Sequence, residues 1–225
     1  MAKEKRYIIK DREQSSLAES FRVLRSSIQD AQNEGELKTI LFTGASLGEG
    51  SAMTAINTAV AMAYAGMRTV LLDCDFRDPI VHDVFGLKNQ GVVNIIRDNE
   101  SLVDLLQESG IDKLQVLASG SIVGRSVELL SNTKLRDIIK ELKMVADYII
   151  INSSPLQVKA DYVVSDACIL AGKVDGVVLV IDSRKVRVTV AKRVSELLNA
   201  TKARIIGTVL NDVRDDEQFR YDMPV

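Results

Sequence analysis

The chain contains several short, continuously apolar segments rich in β-branched residues, with helix-like segments between them. Uninterrupted apolar runs of this length are typical of strands buried on both faces of a parallel sheet, because an exposed face favours alternating polar residues. The runs are KTILFT (38–43), RTVLLDCD (68–75), LQVLAS (114–119), DYIIIN (147–152), GVVLVID (176–182) and ARIIGTVLN (203–211). The helix-like segments cover 51–66, 132–145, 161–173 and 187–200. This alternation predicts right-handed βαβ crossovers and a doubly wound, mostly parallel α/β sheet flanked by helices.

A further helix is predicted before the first strand, within residues 12–33. The segment SSLAES indicates its start, because Ser16 and Glu19 have the spacing of a capping box. An apolar stripe on this helix is expected to face the core: Leu17, Phe21, Leu24 and Ile28. No linker is visible in the 225 residues, so we expect a single domain over 1–225 with a short C-terminal tail at 212–225.

The composition and charge of the chain argue against several classes of function. A net charge of −2 argues against nucleic acid as the main partner. No run reaches the roughly 18 apolar residues of a membrane span, and the polar start MAKEKRYIIK does not resemble a signal peptide. Cys74 and Cys168 lie in apolar segments without metal-ligand spacing, so we expect buried free thiols of a cytoplasmic protein. The single histidine, His82, is expected to be structural.

Polar residues follow three of the predicted strands: a glycine-rich loop after Thr43, then DCDFRD (73–78), then NSSP (152–155). In an open parallel sheet the ligand crevice lies at the carboxyl ends of the strands. We therefore expect these three strand ends to form one site.

The segment GASLGEGSAMT (44–54) has the frame of a phosphate-binding Walker A loop, [AG]-x4-G-K-[ST], between a strand and a helix. In such a loop the backbone amides cradle phosphates, the lysine reaches the β and γ phosphates, and the hydroxyl holds Mg²⁺. Ala45 and Gly50 fall on this frame, but Ser51 and Ala52 replace the lysine and the hydroxyl. The frame thus predicts the shape of a phosphate loop without its side-chain chemistry.

The other two strand ends also carry candidate groups. VLLDCDFR (70–77) ends a strand with Asp73, Asp75 and Arg77, for which a local carboxylate–guanidinium pair is the alternative to metal or phosphate chemistry. DYIIINSSP (147–155) fits the strand of a Walker B motif, in which Asn152 stands where an aspartate normally orients a Mg²⁺-bound water.

Together these segments resemble, over nearly the whole chain, the bacterial tyrosine kinases of capsule and exopolysaccharide systems, the BY-kinases of the CpsD/CapB type. AESFRVLRSSI (18–28) resembles the E-x2-R-x2-R helix of that family, with Glu19, Arg22 and Arg25 at the motif positions. The loop resembles a segment that normally ends P-G-E-G-K-S-T, and LASGSIVGRSVELLSN (117–132) resembles a stretch that usually has N-P before E-L-L. Asn211 stands where the superfamily has an adenine-contacting asparagine.

The resemblance implies a P-loop NTPase-like fold of the MinD/ParA superfamily and an ATP-dependent autokinase that phosphorylates its own C-terminal tyrosines. It further implies a ring assembled through the E-x2-R-x2-R helix and activation by the cytoplasmic tail of a membrane polysaccharide co-polymerase. The protein would then be cytoplasmic, peripheral to the inner face of the cell membrane through that partner. The nucleotide-binding positions implied are Gly48, Glu49, Gly50, Ser51, Ala52, Met53 and Asn211.

The chain departs from the family pattern at the positions that carry the chemistry. Besides Ser51 and Ala52, Met53 replaces the next threonine, Asn152 replaces the Walker B aspartate, and Tyr221 is the one tyrosine of the tail. Losing a single preorganised stabiliser typically lowers an enzymatic rate by about 10²–10³. We therefore expect impaired catalysis and no tightly bound cofactor. Weak ATP or ADP binding stays open, because Mg²⁺ could bridge the remaining carboxylates to a phosphate; these are Asp73 and Asp75.

Three functions stay open. The first is an impaired BY-kinase homologue, a scaffold or regulator that binds a co-polymerase tail, itself or an active kinase paralogue. The second is an active autokinase that uses another cation, such as an arginine from a neighbouring subunit. The third is a MinD/ParA-like ATPase, against which the lack of a lysine in 44–48 argues.

Simpler interpretations exist for several of these segments. The E-x2-R-x2-R side chains could form a solvated helix face with i, i+3 ion pairs, each worth about 0.2–0.5 kcal/mol. Arg125 and Ser126 are expected in a surface turn without a role, and the basic cluster SRKVR (183–187) is expected as a solvated loop.

Overall fold

The structure, a computed structural model, describes Ile9 and residues 15–32, 35–121, 125–158, 163–164 and 166–212. The helices in these ranges are α1 (Ser16–Ala31), α2 (Ser51–Tyr64), α3 (Val81–Phe85), α4 (Val92–Asp98), α5 (Leu102–Leu105), α6 (Ser126–Ser131), α7 (Thr133–Val145), α8 (Asp166–Ala171) and α9 (Val188–Ala200). The strands are β1 (Thr39–Gly44), β2 (Thr69–Cys74), β3 (Gln107–Glu108), β4 (Leu114–Leu117), β5 (Tyr148–Ser153), β6 (Gln157–Val158), β7 (Val163–Val164), β8 (Gly176–Asp182) and β9 (Ile205–Asn211).

Seven strands form one sheet in the order β3-β4-β2-β5-β1-β8-β9. The pairs β1–β5, β1–β8, β2–β4, β2–β5 and β8–β9 are parallel, whereas β3 runs antiparallel to β4 at the edge. All residues of β1, β2 and β5 are buried, which explains why their sequences show no polar alternation. The prediction of a doubly wound, mostly parallel α/β domain is confirmed.

Helices cover both faces of this sheet. One apolar cluster joins the sheet to α4, α7, α8 and α9, and a second joins it to α1, α2 and α3. Helix α2 lies between the sheet and α1 and is buried continuously from Thr54 to Ala63. Its small residues allow this close approach, and each large side chain that it buries, such as Ile56, contributes about 1.5–3 kcal/mol. The buried start of α2 fixes the position of the loop that precedes it.

Helix α1 differs in two details from its prediction. Its N-cap is Ser15, whose hydroxyl oxygen accepts the Ala18 amide proton at 3.1 Å, so the capping box expected from Ser16 is wrong by one residue. Ala18 is buried and Leu17 is 49% exposed, so the predicted apolar stripe is wrong for Leu17, whereas Phe21, Leu24 and Ile28 belong to the core cluster. Residues 12–14, 33 and 213–225, and with them Tyr221, lie outside the described residues.

The segment predicted as a helix over 161–173 is only partly helical. Val163 and Val164 form β7, paired with β6, and the helix α8 begins at Asp166. Cys74 is a buried free thiol as expected, while Cys168 is free but only partly buried. No helix in the described part of the chain is both long and apolar enough to cross a membrane.

Candidate functional site

The strand register places the polar strand ends next to one another. Asn152 on the central strand β5 lies opposite Asp73 of β2 on one side and Phe42 of β1 on the other. The glycine-rich loop leaves β1 two residues beyond Phe42, and its neighbour β8 ends at Asp182, opposite Asn211 of β9. The structure therefore brings the loop, Asp73, Asn152 and Asn211 to one edge of the sheet.

The loop follows a tight path into α2. Gly48 and Gly50 both have left-handed backbone angles, with φ of +75° and +80°, which glycine adopts without steric cost. Gly50 is the N-cap residue of α2, and no side chain caps this helix end. The first amides of α2 therefore lack a side-chain acceptor, as in an anion-binding helix N-terminus.

A carboxylate of the loop itself braces this path. Glu49 folds back so that its Oε2 accepts the Ala45 amide proton at 2.6 Å and its Oε1 accepts the Ser46 hydroxyl proton at 2.9 Å. Burial leaves Glu49 only 2% exposed and raises the pKa of its carboxyl, an effect that these hydrogen bonds oppose and the charge of Asp182 reinforces. The loop thus keeps its shape through its own hydrogen bonds.

Two side chains from neighbouring strands hold the outer side of the loop. The Asn211 Nδ2 donates to the Glu49 carbonyl at 2.9 Å. The Lys185 Nζ donates to the Gly48 carbonyl at 2.9 Å and forms an ion pair with the Asp182 Oδ2 at 2.9 Å. The expectation of a purely solvated loop at 183–187 is therefore wrong for Lys185.

Asp73 and Asn152 form a buried pair at the centre of the site. Both residues are 0% exposed, and the Asn152 Nδ2 donates to the Asp73 Oδ1 at 2.9 Å. Desolvation raises the pKa of Asp73 to about 7, although hydrogen bonds from Asn152 and the Asp75 amide oppose this rise. The remaining oxygens, Asp73 Oδ2 and Asn152 Oδ1, have no hydrogen-bond partner among the described residues. Protonation of Asp73 would lower the free-energy cost of burying this side chain, because it removes a buried charge.

Asp75 and Arg77 contact different partners, so the carboxylate–guanidinium pair suggested within this segment is wrong. The Asp75 carboxylate accepts from the Ser154 hydroxyl and from the Arg77 and Asp78 amides, and burial raises its pKa. The Arg77 guanidinium instead donates to both carboxylate oxygens of Asp166 at 2.9 and 3.3 Å.

Ser126 also belongs to this region and not to a surface turn. It is 5% exposed at the start of α6, and its hydroxyl oxygen accepts from the Arg77 guanidinium at 3.2 Å. Arg77 thereby ties the β2 end to the first turns of α6 and α8. The sequence carried no signal for these contacts, since Asp166 lies 89 residues away along the chain.

The E-x2-R-x2-R residues lie elsewhere, on α1. The Arg22 Nη1 donates to the Glu19 Oε2 at 2.8 Å, on the exposed side of the helix. Arg25 is half-buried, and its Nε has no hydrogen-bond partner within the described part of the chain. These residues are separate from the strand-end site.

Comparison with known proteins gives the family. No family model matches the chain. CapB of Staphylococcus aureus, named as a tyrosine-protein kinase, is 32% identical over 226 residues, which cover 98% of this chain and 97% of that protein. The tyrosine-protein kinase YwqD of Bacillus subtilis is 32% identical over 205 residues, covering 91% of this chain and 84% of that protein. This chain belongs to the bacterial tyrosine kinase (BY-kinase) family.

Solved structures agree with this assignment. The crystal structure of the chimerical protein CapA2B2 matches with a TM-score of 0.82 and 31% identity, covering 89% of this chain and 86% of that one. The septum site-determining protein MinD of Pyrococcus horikoshii, complexed with Mg-ADP, matches with a TM-score of 0.63 and 19% identity over 77% of this chain and 70% of that one. The second likeness shows the fold alone: this chain shares the P-loop NTPase fold of MinD.

The site fits only part of a magnesium nucleotide. The loop path and the open N-terminus of α2 suit the diphosphate group. The metal side differs: Ala52 offers no hydroxyl, and Asn152 donates to the Asp73 Oδ1 while the Asp73 Oδ2 has no partner among the described residues. Side-chain ligands for Mg²⁺ at these strand ends would therefore have to come from Asp73 and Asp75.

The glycines of the loop give a matched pair of variants. Gly50→Ala should lower the free energy of unfolding more than Gly48→Ala, although both force alanine into a left-handed conformation costing about 1–2 kcal/mol. A Cβ at Gly50 would clash with the Asn211 Nδ2 and break its hydrogen bond to Glu49, worth about another 0.5–1.5 kcal/mol, whereas a Cβ at Gly48 meets no atom within 4 Å. Urea denaturation measures the free energy of unfolding of both variants. Equal losses for the two would contradict the view that Asn211 holds the loop at Glu49.

The pKa of Asp73 predicts a pH-dependent stability. The folded-state pKa of about 7 lies above the unfolded value of about 3.9, so the stabilising proton is bound at low pH and lost as the pH rises towards 7. Between pH 5 and 8 the wild type should lose about 2–3 kcal/mol of unfolding free energy relative to Asp73→Asn. The exposed Asp112→Asn, away from the strand ends, is the matched control and should parallel the wild type. If the unfolding free energies of Asp73→Asn and the wild type changed in parallel with pH, the raised pKa of Asp73 would be contradicted.

Proposed function

We propose that this chain is a catalytically impaired BY-kinase homologue that acts as an assembling scaffold or regulator in capsular or exopolysaccharide biosynthesis and export. Its nucleotide site is degenerate and binds ATP or ADP weakly if at all. Its partners are further copies of itself and either the cytoplasmic tail of a membrane polysaccharide co-polymerase or an active kinase paralogue. It acts in the cytoplasm, peripheral to the inner face of the cell membrane through that partner.

The buried hydrogen bond between Asn152 and Asp73 is the observation that carries this proposal. In an active site of this kind carboxylates from both strand ends would hold and orient the metal, but here Asn152 is an amide that donates to the Asp73 carboxylate. With a pKa of about 7, Asp73 is also partly protonated at neutral pH and is then a poorer ligand for a cation. These two positions therefore support the metal-dependent part of phosphoryl transfer less well than two ionised carboxylates would.

The charges of the loop also argue against kinase activity. Phosphoryl transfer depends on positive charge positioned against the phosphoryl oxygens. Ser51 places no cation at the start of α2, while the buried Glu49 carboxylate lies within the loop. Since each missing stabiliser lowers the rate by about 10²–10³, the joint loss of cation and metal ligands favours an inactive kinase.

Assembly depends on a different part of the chain. Glu19, Arg22 and Arg25 lie on α1, and the Glu19–Arg22 pair is exposed to solvent. An exposed i, i+3 ion pair contributes only about 0.2–0.5 kcal/mol to the helix, so exchanging the Glu19–Arg22 pair for a contact with another subunit would cost little. Loss of the catalytic groups leaves this helix intact, which supports a retained role in assembly.

Restoring the missing groups tests the catalytic half of the proposal. The wild type should show no phosphotyrosine after incubation with Mg²⁺-ATP, and calorimetry should give only millimolar affinity or none. The triple variant Ser51→Lys, Ala52→Ser and Asn152→Asp should bind Mg²⁺-ATP at least about 10-fold more tightly, because it returns a cation and two metal ligands. Micromolar affinity of the wild type, with phosphate on Tyr221, would overturn the proposal.

Charge reversal on α1 tests the assembly half. The wild type should have a mass above the monomer value of 24.7 kDa in size-exclusion chromatography with light scattering, alone or with the partner tail. Arg25→Glu should return it to the monomer, because it would put a carboxylate in place of the guanidinium that the proposal assigns to the subunit contact. Lys140→Glu, an equal charge change on the exposed side of α7, is the control and should leave the assembly unchanged. A monomeric wild type under both conditions would contradict assembly.

A further inference from the structure

The turn after β8 and the first turns of α9 carry a run of positive charge. Residues 184–193 contain five basic side chains and no acidic one. All five are exposed, and they form the α9 basic surface: Arg184, Lys185, Arg187, Lys192 and Arg193. Like charges this close repel one another, so this surface favours a negatively charged partner.

The described end of the chain lies against this surface. Strand β9 ends at Asn211, and the Arg184 guanidinium forms an ion pair with the carboxylate of the next residue, Asp212. The Ser183 hydroxyl donates to the Asp212 carbonyl at 3.1 Å, and the Ser183 amide donates to the Asn211 carbonyl at 3.0 Å. Asp212 has a left-handed φ of +54°, so the chain turns here and does not continue along β9. The segment after Asp212 therefore begins beside the α9 basic surface.

Three cations of the surface have at most a weak partner. Within the described ranges, the side chains of Arg187 and Lys192 form no hydrogen bond or ion pair. Arg193 pairs with Glu196 at 3.2 Å, but both side chains are exposed, and such a pair contributes little in water. A carboxylate brought to these three cations would therefore displace one weak ion pair and otherwise only water.

The segment that follows β9 has the complementary charge. Residues 212–222 contain five acidic residues and two arginines, and three of the acids are consecutive in DDE (215–217). An extended chain spans at most about 3.3–3.6 Å per residue, so the run can reach about 10–18 Å beyond Asp212. A helix rises about 1.5 Å per residue, so Arg193 lies only about 8 Å along α9 from its first residue. The DDE run is therefore long enough to meet all three cations.

We propose that the DDE run of the C-terminal tail docks on the α9 basic surface of its own subunit, with its carboxylates on Arg187, Lys192 and Arg193. The short tether raises the local concentration of these carboxylates to about the millimolar range, which favours them over a separate acidic molecule. Tyr221 follows the run by four residues, so the docked tail keeps this candidate phospho-acceptor beside its own α9. The inference goes beyond the proposed function and is independent of it: autophosphorylation by the wild type would overturn that function and leave this contact standing.

A carbodiimide, which joins a lysine amine to a carboxylate as an amide, tests the contact in the full chain. In dilute protein at low salt, the monomer band should contain peptides that join Lys192 to residues 215–217. Lys140, an exposed lysine on α7, should not be joined to the tail. In about 1 M salt the Debye length falls to about 3 Å, so the yield of the Lys192 product should fall about 3-fold or more. Products that join only two separate chains, or that form equally at Lys140, would overturn docking on the same subunit.

Trypsin cleavage at Arg220, just beyond the run, measures docking without a cross-link. Arg187→Gln combined with Lys192→Gln should speed this cleavage about 3-fold or more, because an undocked tail enters the protease more often. Arg136→Gln combined with Lys140→Gln removes an equal charge from the exposed side of α7 and should keep the rate within about 2-fold of the wild type. Thermal unfolding checks that both double variants are folded. Equal cleavage rates in the two double variants would contradict the docked tail.

An anionic membrane is the other partner that this charge would fit. The tail is favoured, because its first carboxylate, that of Asp212, already lies on Arg184. In sedimentation with phosphatidylglycerol vesicles at low salt, the full chain should therefore stay in the supernatant, since its own carboxylates neutralise the surface. Sedimentation of the full chain, lost in the variant that combines Arg187→Gln and Lys192→Gln, would show a surface open to lipid and overturn the proposal.

Discussion

The parallel pairing of β2, β5 and β1 is the constraint on which the site depends. Its register sets Asp73 opposite Asn152 and carries the glycine loop to the same edge of the sheet. All three strands are buried on both faces, so a shift in register would disrupt the packing of two apolar layers at once. The position of the polar strand ends is therefore fixed by hydrophobic packing, and their chemistry is free to vary within it.

This division explains how the loop keeps its shape with Ser51 at the position of the Walker A lysine. Glu49 satisfies the Ala45 amide and the Ser46 hydroxyl, and Asn211 and Lys185 hold the carbonyls of Glu49 and Gly48. None of these contacts involves the two positions where the family has its lysine and hydroxyl. The shape of the loop therefore does not depend on a lysine at position 51 or a hydroxyl at position 52.

Local sequence patterns predicted the parts of the fold that depend on short-range features. The buried strands, α2, α7 and α9 were all indicated by continuous apolar runs or helical periodicity, and the P-loop frame by its glycines. The errors fall where a distant contact decides the outcome. The segment 161–173 begins with a strand because β7 pairs with β6, and Ser126 is buried because Arg77 crosses from β2 to reach it.

The sequence by itself determined the layered α/β architecture, the path of the loop and the absence of the Walker A lysine and Walker B aspartate, since residue types and their spacing carry this information directly. Only the tertiary structure decided which groups interact at the strand ends. Asp73 pairs with Asn152, Arg77 with Asp166, and Lys185 with the Gly48 carbonyl, across separations of 79, 89 and 137 residues. Such contacts follow from strand order and register, which place residues distant in sequence within hydrogen-bonding distance of one another.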